Sequence, residues 1–246
     1  MINYRLKLQY DGTRYNGWQI QKNGTTVQGV VTNAINTILR VENVKLTGSG
    51  RTDTGVHALD QPANFYSSKI DDLDKFLFSL NAVLPIDISC NAIDEVSPSF
   101  HARFDAVSRT YLFLFHHSKN PFWNNYSHLL FKIPEIKELN KISEAFIRKE
   151  DFSSFAKKID PKINPVCDVK YARWMRISGK TLFIIEADRF LHSMVRTITG
   201  TILDFYFQNK NLNELEEIFK LKDRSLAAKA LPAKALFLYK VKYPGE

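Results

Sequence analysis

One carboxylate in this sequence stands among residues that suit chemistry. Asp53 lies in the segment GSGRTDTGVHA at residues 48–58, two residues after Arg51 and four residues before His57. Glycines let a turn pass close to a ligand, and an acid in such a turn faces whatever is bound there. The competing interpretation is an ordinary turn aspartate that binds its own backbone, which is the commoner case for a lone D-x-G.

Two nucleotide-binding motifs are excluded for the same segment. Its glycines begin a G-x-G-x-x-G pattern, but Asp53 occupies the place of the third glycine, where a carboxylate would repel a pyrophosphate. No Gly-Lys-Ser or Gly-Lys-Thr follows, so the segment is not a P-loop. The sequence therefore predicts a carboxylate site rather than a phosphate cradle.

Cationic side chains recur along a predicted helix in the second half of the chain. The spacing predicts a helix over residues 190–206, with Arg189 at its start and apolar side chains gathered on one side. At about 100° per residue, the stripe on the other side is roughly 80° wide and holds Arg189, His192, Arg196 and Gly200. An amphipathic surface helix gives the same pattern, so spacing alone leaves both interpretations open.

A tyrosine interrupts an apolar predicted strand in the sequence SRTYLF at residues 108–113. A strand tyrosine such as Tyr111 is most often a core residue whose hydroxyl is satisfied at the edge. A phenol can also stack on a base while its oxygen accepts or donates a proton. Both interpretations remain open from the residue alone.

Several of these segments resemble those of one enzyme family. Residues 48–58 are similar to the signature G-R-T-D-x-G-V-H-A of the TruA-type tRNA pseudouridine synthases. Residues 190–200 (FLHSMVRTITG) resemble that family's F-L-x-x-M-V-R-x-I-x-G helix, and residues 10–21 (YDGTRYNGWQIQ) resemble its Y-D-G-T-x-Y-x-G-W-Q-x-Q loop. The family's R-x-Y element aligns with residues 109–111. The resemblance spans nearly the whole chain, from Tyr10 to Tyr243.

The resemblance implies a role for each matching residue. Asp53 corresponds to the catalytic aspartate and Arg196 to the arginine that pairs with it; an opposite charge within about 4–6 Å keeps a carboxylate ionised. Tyr111 corresponds to the tyrosine that contacts the target base. Arg51 corresponds to the arginine that helps to hold that base out of the stack. The further candidate substrate contacts are Arg14, His57, Arg189, Lys157 and Lys158.

The sequence departs from the family pattern in two places. Thr54 and Asp60 stand where the family usually has small residues. Residues 226–236 (LAAKALPAKAL) resemble the late element A-G-x-T-A-P-A-x-G-L but lack its glycines, at Ala228 and Ala235. The conformation of that late loop is therefore open, whereas the catalytic set is complete.

The net charge of the chain favours a polyanionic partner. Lys and Arg total 34 against 26 Asp and Glu, which gives a net charge of +8 and a pI near 9.3. Residues 148–180 carry a local excess of basic side chains, which suggests either a solvated face or, as we favour, a rim that contacts phosphates. Phe152, Phe155, Tyr171 and Trp174 are interleaved there and either stack or pack.

The sequence predicts no metal, no cofactor and no membrane span. Cys90 and Cys167 form no C-x-x-C pair, and the six histidines show no metal-ligand spacing. The first residues lack the apolar core of a signal peptide, and no apolar run approaches the length of a membrane span. We therefore predict a cytoplasmic protein whose cysteines are reduced and buried.

The apolar pattern predicts two similar halves. The first has strands at 4–10, near 46, at 61–66 and at 88–96, and helices at 26–39 and 71–81. The second has strands at 109–115, 169–177, 181–187 and 235–243, and helices at 136–146, 190–206 and 212–221. We predict an α+β fold of two ferredoxin-like (RRM-like) split βαβ units, domains 1–104 and 105–246. These would join through a mixed, largely antiparallel sheet with a central cleft where Asp53 meets residues of the second half.

The resemblance implies an isomerase that converts uridine to pseudouridine in the anticodon stem-loop of tRNA, at positions 38–40. It also implies a homodimer that grips tRNA across both subunits, without a cofactor. Two alternatives remain open. A non-catalytic RRM-like module would only bind RNA, although an RNP-type aromatic motif is absent. A retaining glycosidase-like hydrolase would need a second carboxylate, and Asp60 is the only acid nearby.

Overall fold

The computed structural model describes residues 1–157 and 162–245 of the chain. The chain forms two compact units. The first contains Met1–Val107 together with Phe237–Glu246, and the second contains Ser108–Leu236. The division after residue 107 lies close to the predicted boundary at residue 104. The last strand differs from the prediction, because it belongs to the first unit rather than to the second.

The first unit has the strand order of a split βαβ unit. In chain order its elements are β1 (Ile2–Tyr10), α1 (Val27–Leu39), β2 (Thr47–Gly48), β3 (His57–Ser67), α2 (Leu73–Val83) and β4 (Ile88–Val96). Strand β1 lies between β4 and β3 and pairs antiparallel with both, and the short β2 pairs antiparallel with β3. The resulting order, 4-1-3-2, is that of the ferredoxin-like unit that the sequence predicted.

Local sequence explains these elements well. Alternate residues of β1 are fully buried, whereas Lys7 between them is exposed, as expected for a strand with one face on the core. Helix α1 begins where the Thr26 hydroxyl accepts a hydrogen bond from the Gly29 amide at 3.3 Å. Helix α2 begins in the same way, with the Asp72 carboxylate 2.8 Å from the Lys75 amide.

The second unit contains the following elements in chain order: β5 (Ser108–His116), β6 (His128–Leu129), α3 (Ile136–Glu144), β7 (Lys149–Asp151), β8 (Val166–Ile177), β9 (Lys180–Ala187), α4 (Met194–Gln208) and α5 (Leu212–Leu221). Strand β9 pairs antiparallel with both β5 and β8, and β7 pairs antiparallel with the other edge of β8. Aromatic rings fill the core, with Trp174 4.7 Å from Phe183 and 5.4 Å from Phe115 between ring centroids.

The final strand, β10 (Leu236–Lys242), completes the first unit. It runs parallel to β3, with Phe237 opposite His57. The Tyr243 hydroxyl donates to the Ala102 carbonyl at 2.7 Å, and the Val107 amide donates to the Lys242 carbonyl at 2.9 Å. These bonds explain why the predicted domain 105–246 differs from the structure at its end.

Each unit is α+β with largely antiparallel pairing, as the sequence predicted.

Both cysteines are free and buried, as predicted, and burial raises the pKa of Cys167 to about 12. In the part of the chain that the structure describes, no helix has the length and hydrophobicity to cross a membrane. Over the same residues, no group of three or more His, Cys, Asp or Glu side chains could hold a metal ion.

Candidate active site

Asp53 occupies the first position of a tight turn between β2 and β3. Its carbonyl accepts a hydrogen bond from the Val56 amide at 3.1 Å, which closes a four-residue turn. Gly55, at the third position, has a φ of 78°, as a type II turn requires. The side chain of Asp53 is half-buried. The GSGRTDTGVHA segment therefore does build the glycine-dependent turn that the sequence predicted for this carboxylate.

The backbone next to Asp53 is held by three contacts. The Thr52 carbonyl accepts a hydrogen bond from the Trp18 amide at 3.2 Å, and the Thr52 hydroxyl lies 2.8 Å from the Tyr10 hydroxyl in a buried contact. On the other side, the Gln61 side-chain amide donates to the Gly50 carbonyl at 2.9 Å. Such contacts fix the part of the backbone that carries Asp53, and a fixed backbone is one requirement of a preorganised site.

Tyr111 lies on β5 directly opposite Ile185 of β9, so the two side chains share one face of the sheet. Ile185 is fully buried and Tyr111 is half-buried. The Tyr111 ring stands edge-on to Phe190, with 5.3 Å between centroids and 87° between planes. An edge-to-face contact of this kind fixes the ring's orientation.

Arg196 lies in the first turn of α4 and is held by the late loop of the same unit. Its Nε donates to the Leu231 carbonyl at 2.6 Å, and its own carbonyl accepts from the Leu231 amide at 3.2 Å. Bonding through Nε fixes the plane of the guanidinium group, because the Nη atoms lie in that plane. The side chain is half-buried. Arg196 is therefore an oriented cation and not a loose surface charge.

Comparison with known proteins decides the family. The sequence model of the family described as tRNA pseudouridine synthase matches residues 8–105 and 142–244. The chain belongs to the tRNA pseudouridine synthase family. It is thus an isomerase that acts on uridine in tRNA, as the resemblance of residues 48–58 implied.

Relatives from several organisms match over nearly the whole chain. The tRNA pseudouridine synthase A of Bacteroides thetaiotaomicron is 38% identical over 248 residues, which cover 99% of this chain and 91% of the relative. That of Caldicellulosiruptor saccharolyticus is 40% identical over 250 residues, covering 99% and 100%. A solved archaeal box H/ACA sRNP Nop10-Cbf5 complex matches with 14% identity and a TM-score of 0.34, over 81% of this chain and 42% of that one.

Helix α4 begins later than the sequence predicted. The sequence predicted a helix over residues 190–206 with Arg189, His192 and Arg196 on one face, but α4 begins at Met194. Ser193 has a φ of 61°, a left-handed conformation that no right-handed helix can pass through. Arg189 and His192 therefore precede the helix, and Arg189 is half-buried with its amide bonded to the Asp188 carboxylate at 2.7 Å. Its role as a substrate contact stays a prediction.

The late loop adopts its conformation without the family's glycines. The Ala228 amide donates to the Thr201 hydroxyl at 3.2 Å, and among the described residues neither Ala228 nor Ala235 has a positive φ. The necessary glycine lies on α4 instead. A Cβ on Gly200 would lie 2.5 Å from the Lys229 carbonyl oxygen, so only glycine allows the loop to approach.

His57 lies inside the first unit. Only 1% of its surface is exposed, and its ring stacks on Phe237 with 4.6 Å between centroids. Its Nδ1 lies 3.1 Å from the Gly12 amide, which donates to it. This placement favours a role in positioning the loop at residues 10–21 beside the Asp53 turn. Contact between His57 and substrate remains a prediction.

The two arginines near the Asp53 turn differ in their surroundings. Arg51 is exposed, and its Nε donates to the Gln19 side chain at 3.2 Å. Arg14 is exposed too, but its Nη2 lies 2.6 Å from the Asp87 carboxylate, and this hydrogen bond raises the pKa of Arg14. Since the pair is neutral as a whole, a phosphate would have to compete with Asp87 for Arg14. The role of either arginine toward RNA stays a prediction.

The basic segment at residues 148–180 contains both buried and exposed side chains. Phe152, Phe155 and Trp174 are buried in the core, so of the interleaved aromatic residues only Tyr171 is exposed. Lys157 is exposed, and its amide donates to the His192 carbonyl at 2.9 Å, which places it beside the segment that leads into α4. Lys158 lies outside the described residues.

Proposed function

We propose that this synthase isomerises uridine to pseudouridine in the anticodon stem-loop, at positions 38–40, with Asp53 as the nucleophile. The observation that carries the proposal is the half-exposed Asp53 carboxylate on a backbone fixed by Tyr10, Trp18 and Gln61. A nucleophile needs that combination, because it must reach the substrate and yet be held in one geometry.

In the proposed reaction, the bond that joins uracil to the ribose moves from N1 to C5 of the base, and C5 loses its proton. The Asp53 carboxylate attacks the uridine, the N-glycosidic bond breaks, and the detached uracil rotates until its C5 faces the ribose. A C–C bond then forms between C5 and the ribose carbon, and the aspartate is released. The proton on C5 is lost to a base, for which we propose the Tyr111 oxygen, and N1, which kept the electron pair of the broken glycosidic bond, takes up a proton, so that the product is an isomer of the substrate.

Arg196 and Arg51 have supporting roles in this proposal. Arg196 is the cation that keeps the nucleophile ionised, since an opposite charge favours the deprotonated form of a carboxylate. Its bond to the Leu231 carbonyl supports that role, because it leaves the Nη atoms oriented and unable to swing. Arg51 is exposed and is proposed to help hold the target base out of the stack, a step required of any enzyme that works on a paired base.

The decisive experiment follows the C5 proton. The purified protein is incubated with unmodified tRNA that carries tritium at C5 of its uridines, and tritium release is measured before the modified positions are mapped. We expect release with product at positions 38–40 only. Product elsewhere in tRNA would contradict the positions, and tRNA binding without any release would support the non-catalytic RNA-binding alternative.

We further propose a cytoplasmic homodimer. The mass of the chain is 28.4 kDa, so sedimentation equilibrium distinguishes a monomer from a dimer directly. A monomeric mass that persists in the presence of tRNA would contradict the dimer. Fractionation of the producing cells tests the compartment, and recovery of the protein with membranes would contradict it.

Substitution of Tyr111 separates stacking from proton transfer. We expect Tyr111→Phe to bind tRNA normally but to turn over slowly, because it keeps the ring that Phe190 orients and loses the hydroxyl. We expect Tyr111→Ala to lose affinity as well. Single-turnover rates and tRNA dissociation constants are measured for both variants. Tyr171→Phe, at an exposed tyrosine of the same unit, is the matched control. Full activity of Tyr111→Ala would show that the ring only packs.

Lys157 tests the phosphate-contacting rim. We expect Lys157→Ala to weaken binding of several tRNAs alike, and more so together with Lys158→Ala. Removal of one phosphate contact should flatten the dependence of log affinity on log salt by roughly one unit. Saturated single-turnover rates should stay near those of the wild type. Lys69→Ala, at an exposed lysine of the first unit, is the control. Unchanged affinity and salt dependence would identify the segment as a solvated face.

A further inference from the structure

A segment of the second unit carries exposed aromatic rings that the proposed reaction does not use. We call residues 117–133 the aromatic segment. Phe122 and Phe131 within it have 85% and 73% of their surface exposed, and Tyr126 is exposed as well. The family model matches residues 8–105 and 142–244, so the aromatic segment lies outside both matched ranges. Three exposed rings within ten residues of the chain need an explanation, because single exposed apolar side chains are ordinary.

The aromatic segment is anchored along its length. The His117 ring makes two hydrogen bonds of 2.8 Å, one with the Leu130 carbonyl and one with the Thr181 hydroxyl of β9. The Ser127 hydroxyl donates to the Trp123 carbonyl at 2.7 Å, and that serine is fully buried. The exposed rings therefore stand on a fixed backbone, so a ligand that binds them would not have to order the segment first.

The charged side chains of the aromatic segment are all basic. The sequence has no Asp or Glu between Asp105 and Glu135. Lys119 and Lys132 lie within the segment, and both are exposed. A surface of exposed aromatic rings with lysines and no carboxylates suits a polyanion that also offers flat apolar faces.

Two further cations approach the aromatic segment from elsewhere in the unit. The Lys180 Nζ lies 4.0 Å from the centroid of the Trp123 ring, which places an ammonium group against this surface. The Lys234 Nζ donates to the Asn124 side chain at 2.9 Å. The positive charge is thus built from three parts of the chain and is not an accident of one loop.

We propose that the aromatic segment binds unpaired bases of the tRNA substrate, with Phe122 and Phe131 stacking on bases and the lysines contacting the flanking phosphates. Proteins recognise single-stranded RNA by this pairing of aromatic platforms with cations. A tRNA offers unpaired bases in its loops. The proposal rests on tRNA as the substrate and adds a second contact, apart from the residues of the reaction.

A second copy of this chain is the less favourable occupant. A symmetric dimer through this surface would place the same patch of each subunit face to face. Lys119 and Lys132 of one subunit would then meet the lysines of the other without carboxylates from the segment to offset them. Such like-charge juxtaposition opposes association, whereas an RNA backbone would be attracted.

The test uses the full-length protein and unmodified tRNA transcript. We expect Phe122→Ala and Phe131→Ala each to weaken tRNA binding about fivefold or more, the loss of one stacked base, with an unchanged salt dependence. Single-turnover rates at saturating enzyme should stay near those of the wild type. Phe78→Ala is the matched control, because Phe78 is 77% exposed on α2 of the first unit. It should leave binding unchanged.

Further measurements separate the outcomes. Lys119→Ala with Lys132→Ala should weaken binding and flatten the salt dependence by roughly two units. A fully paired RNA duplex should bind the phenylalanine variants as well as it binds the wild type. Unchanged tRNA affinity in both phenylalanine variants would overturn the proposal. If these variants instead sediment as monomers where the wild type sediments as a dimer, and each subunit binds tRNA as tightly as before, the proposal is overturned as well. Pseudouridine formation by the wild type tests the proposed function separately, so the two failures are distinguishable.

Discussion

Asp53→Asn is expected to abolish pseudouridine formation while leaving the protein folded and able to bind tRNA. The amide keeps the shape of the side chain but is not a nucleophile, so the covalent step is lost. The turn should survive, because the bond that closes it uses the Asp53 carbonyl, which the substitution retains. Affinity should stay within a few-fold, since phosphate contacts elsewhere supply most of it. Tritium release, thermal unfolding and tRNA binding are measured on one preparation.

A control for charge is needed, because the substitution raises the net charge of the chain from +8 to +9. Asp71→Asn makes the same change at a side chain that is 91% exposed in the first unit. We expect this variant to turn over normally and to bind tRNA slightly more tightly at low salt. Measurable turnover by Asp53→Asn beyond that of an enzyme-free sample would remove Asp53 from the role of nucleophile.

Local sequence signals predicted most elements closely. Helix α5 has the predicted bounds, because Asn211 and Glu214 form a capping box at its start, with the Asn211 amide 3.0 Å from the Glu214 carboxylate. Strand β4 also has the predicted bounds. In both cases the deciding interactions, a cap or an alternating apolar face, lie within a few residues of the element itself.

The start of α4 shows where local reasoning fails. Phe190 and Leu191 continue the apolar helical spacing of α4, but spacing carries no information on the sign of φ at Ser193. For strand β10 the predicted range of 235–243 agrees with the observed Leu236–Lys242, and only the predicted domain differs. Its alternation predicts a strand, yet its assignment to the first unit depends on parallel pairing with His57, far away in the sequence.

In the candidate site, too, the sequence predicted the local features and did not predict the contacts between distant residues. The sequence predicted Asp53 and its glycine turn, because a turn is a local structure with a residue signature. It did not predict the contacts that hold the turn and the arginine. Tyr10 to Thr52, Gln61 to Gly50 and Arg196 to Leu231 join residues far apart in the chain, and no local pattern specifies them.

Arg196→Lys is expected to slow the chemical step about ten- to a hundred-fold with little change in tRNA affinity. That range corresponds to the loss of one hydrogen bond to a charged group, about 1.5–3 kcal/mol. The structure gives the reason. In the arginine, Nε donates to the Leu231 carbonyl, and the two Nη atoms are further donors fixed in the same plane. A lysine has a single nitrogen at its end and cannot supply both in that geometry.

Arg224→Lys is the control that distinguishes a role of Arg196 in the reaction from a role in holding the late loop. Arg224 donates to the Ala227 carbonyl at 3.0 Å and lies 3.5 Å from the Thr197 hydroxyl of α4, so it too ties the late loop to the helix. Equal loss of rate in both variants would mean that the arginines only hold this loop. A drop confined to Arg196→Lys, with matching thermal unfolding, would place its guanidinium in the reaction. Wild-type single-turnover rates in Arg196→Lys would leave Arg196 as a structural or phosphate contact, and the cation beside the nucleophile would have to be another residue.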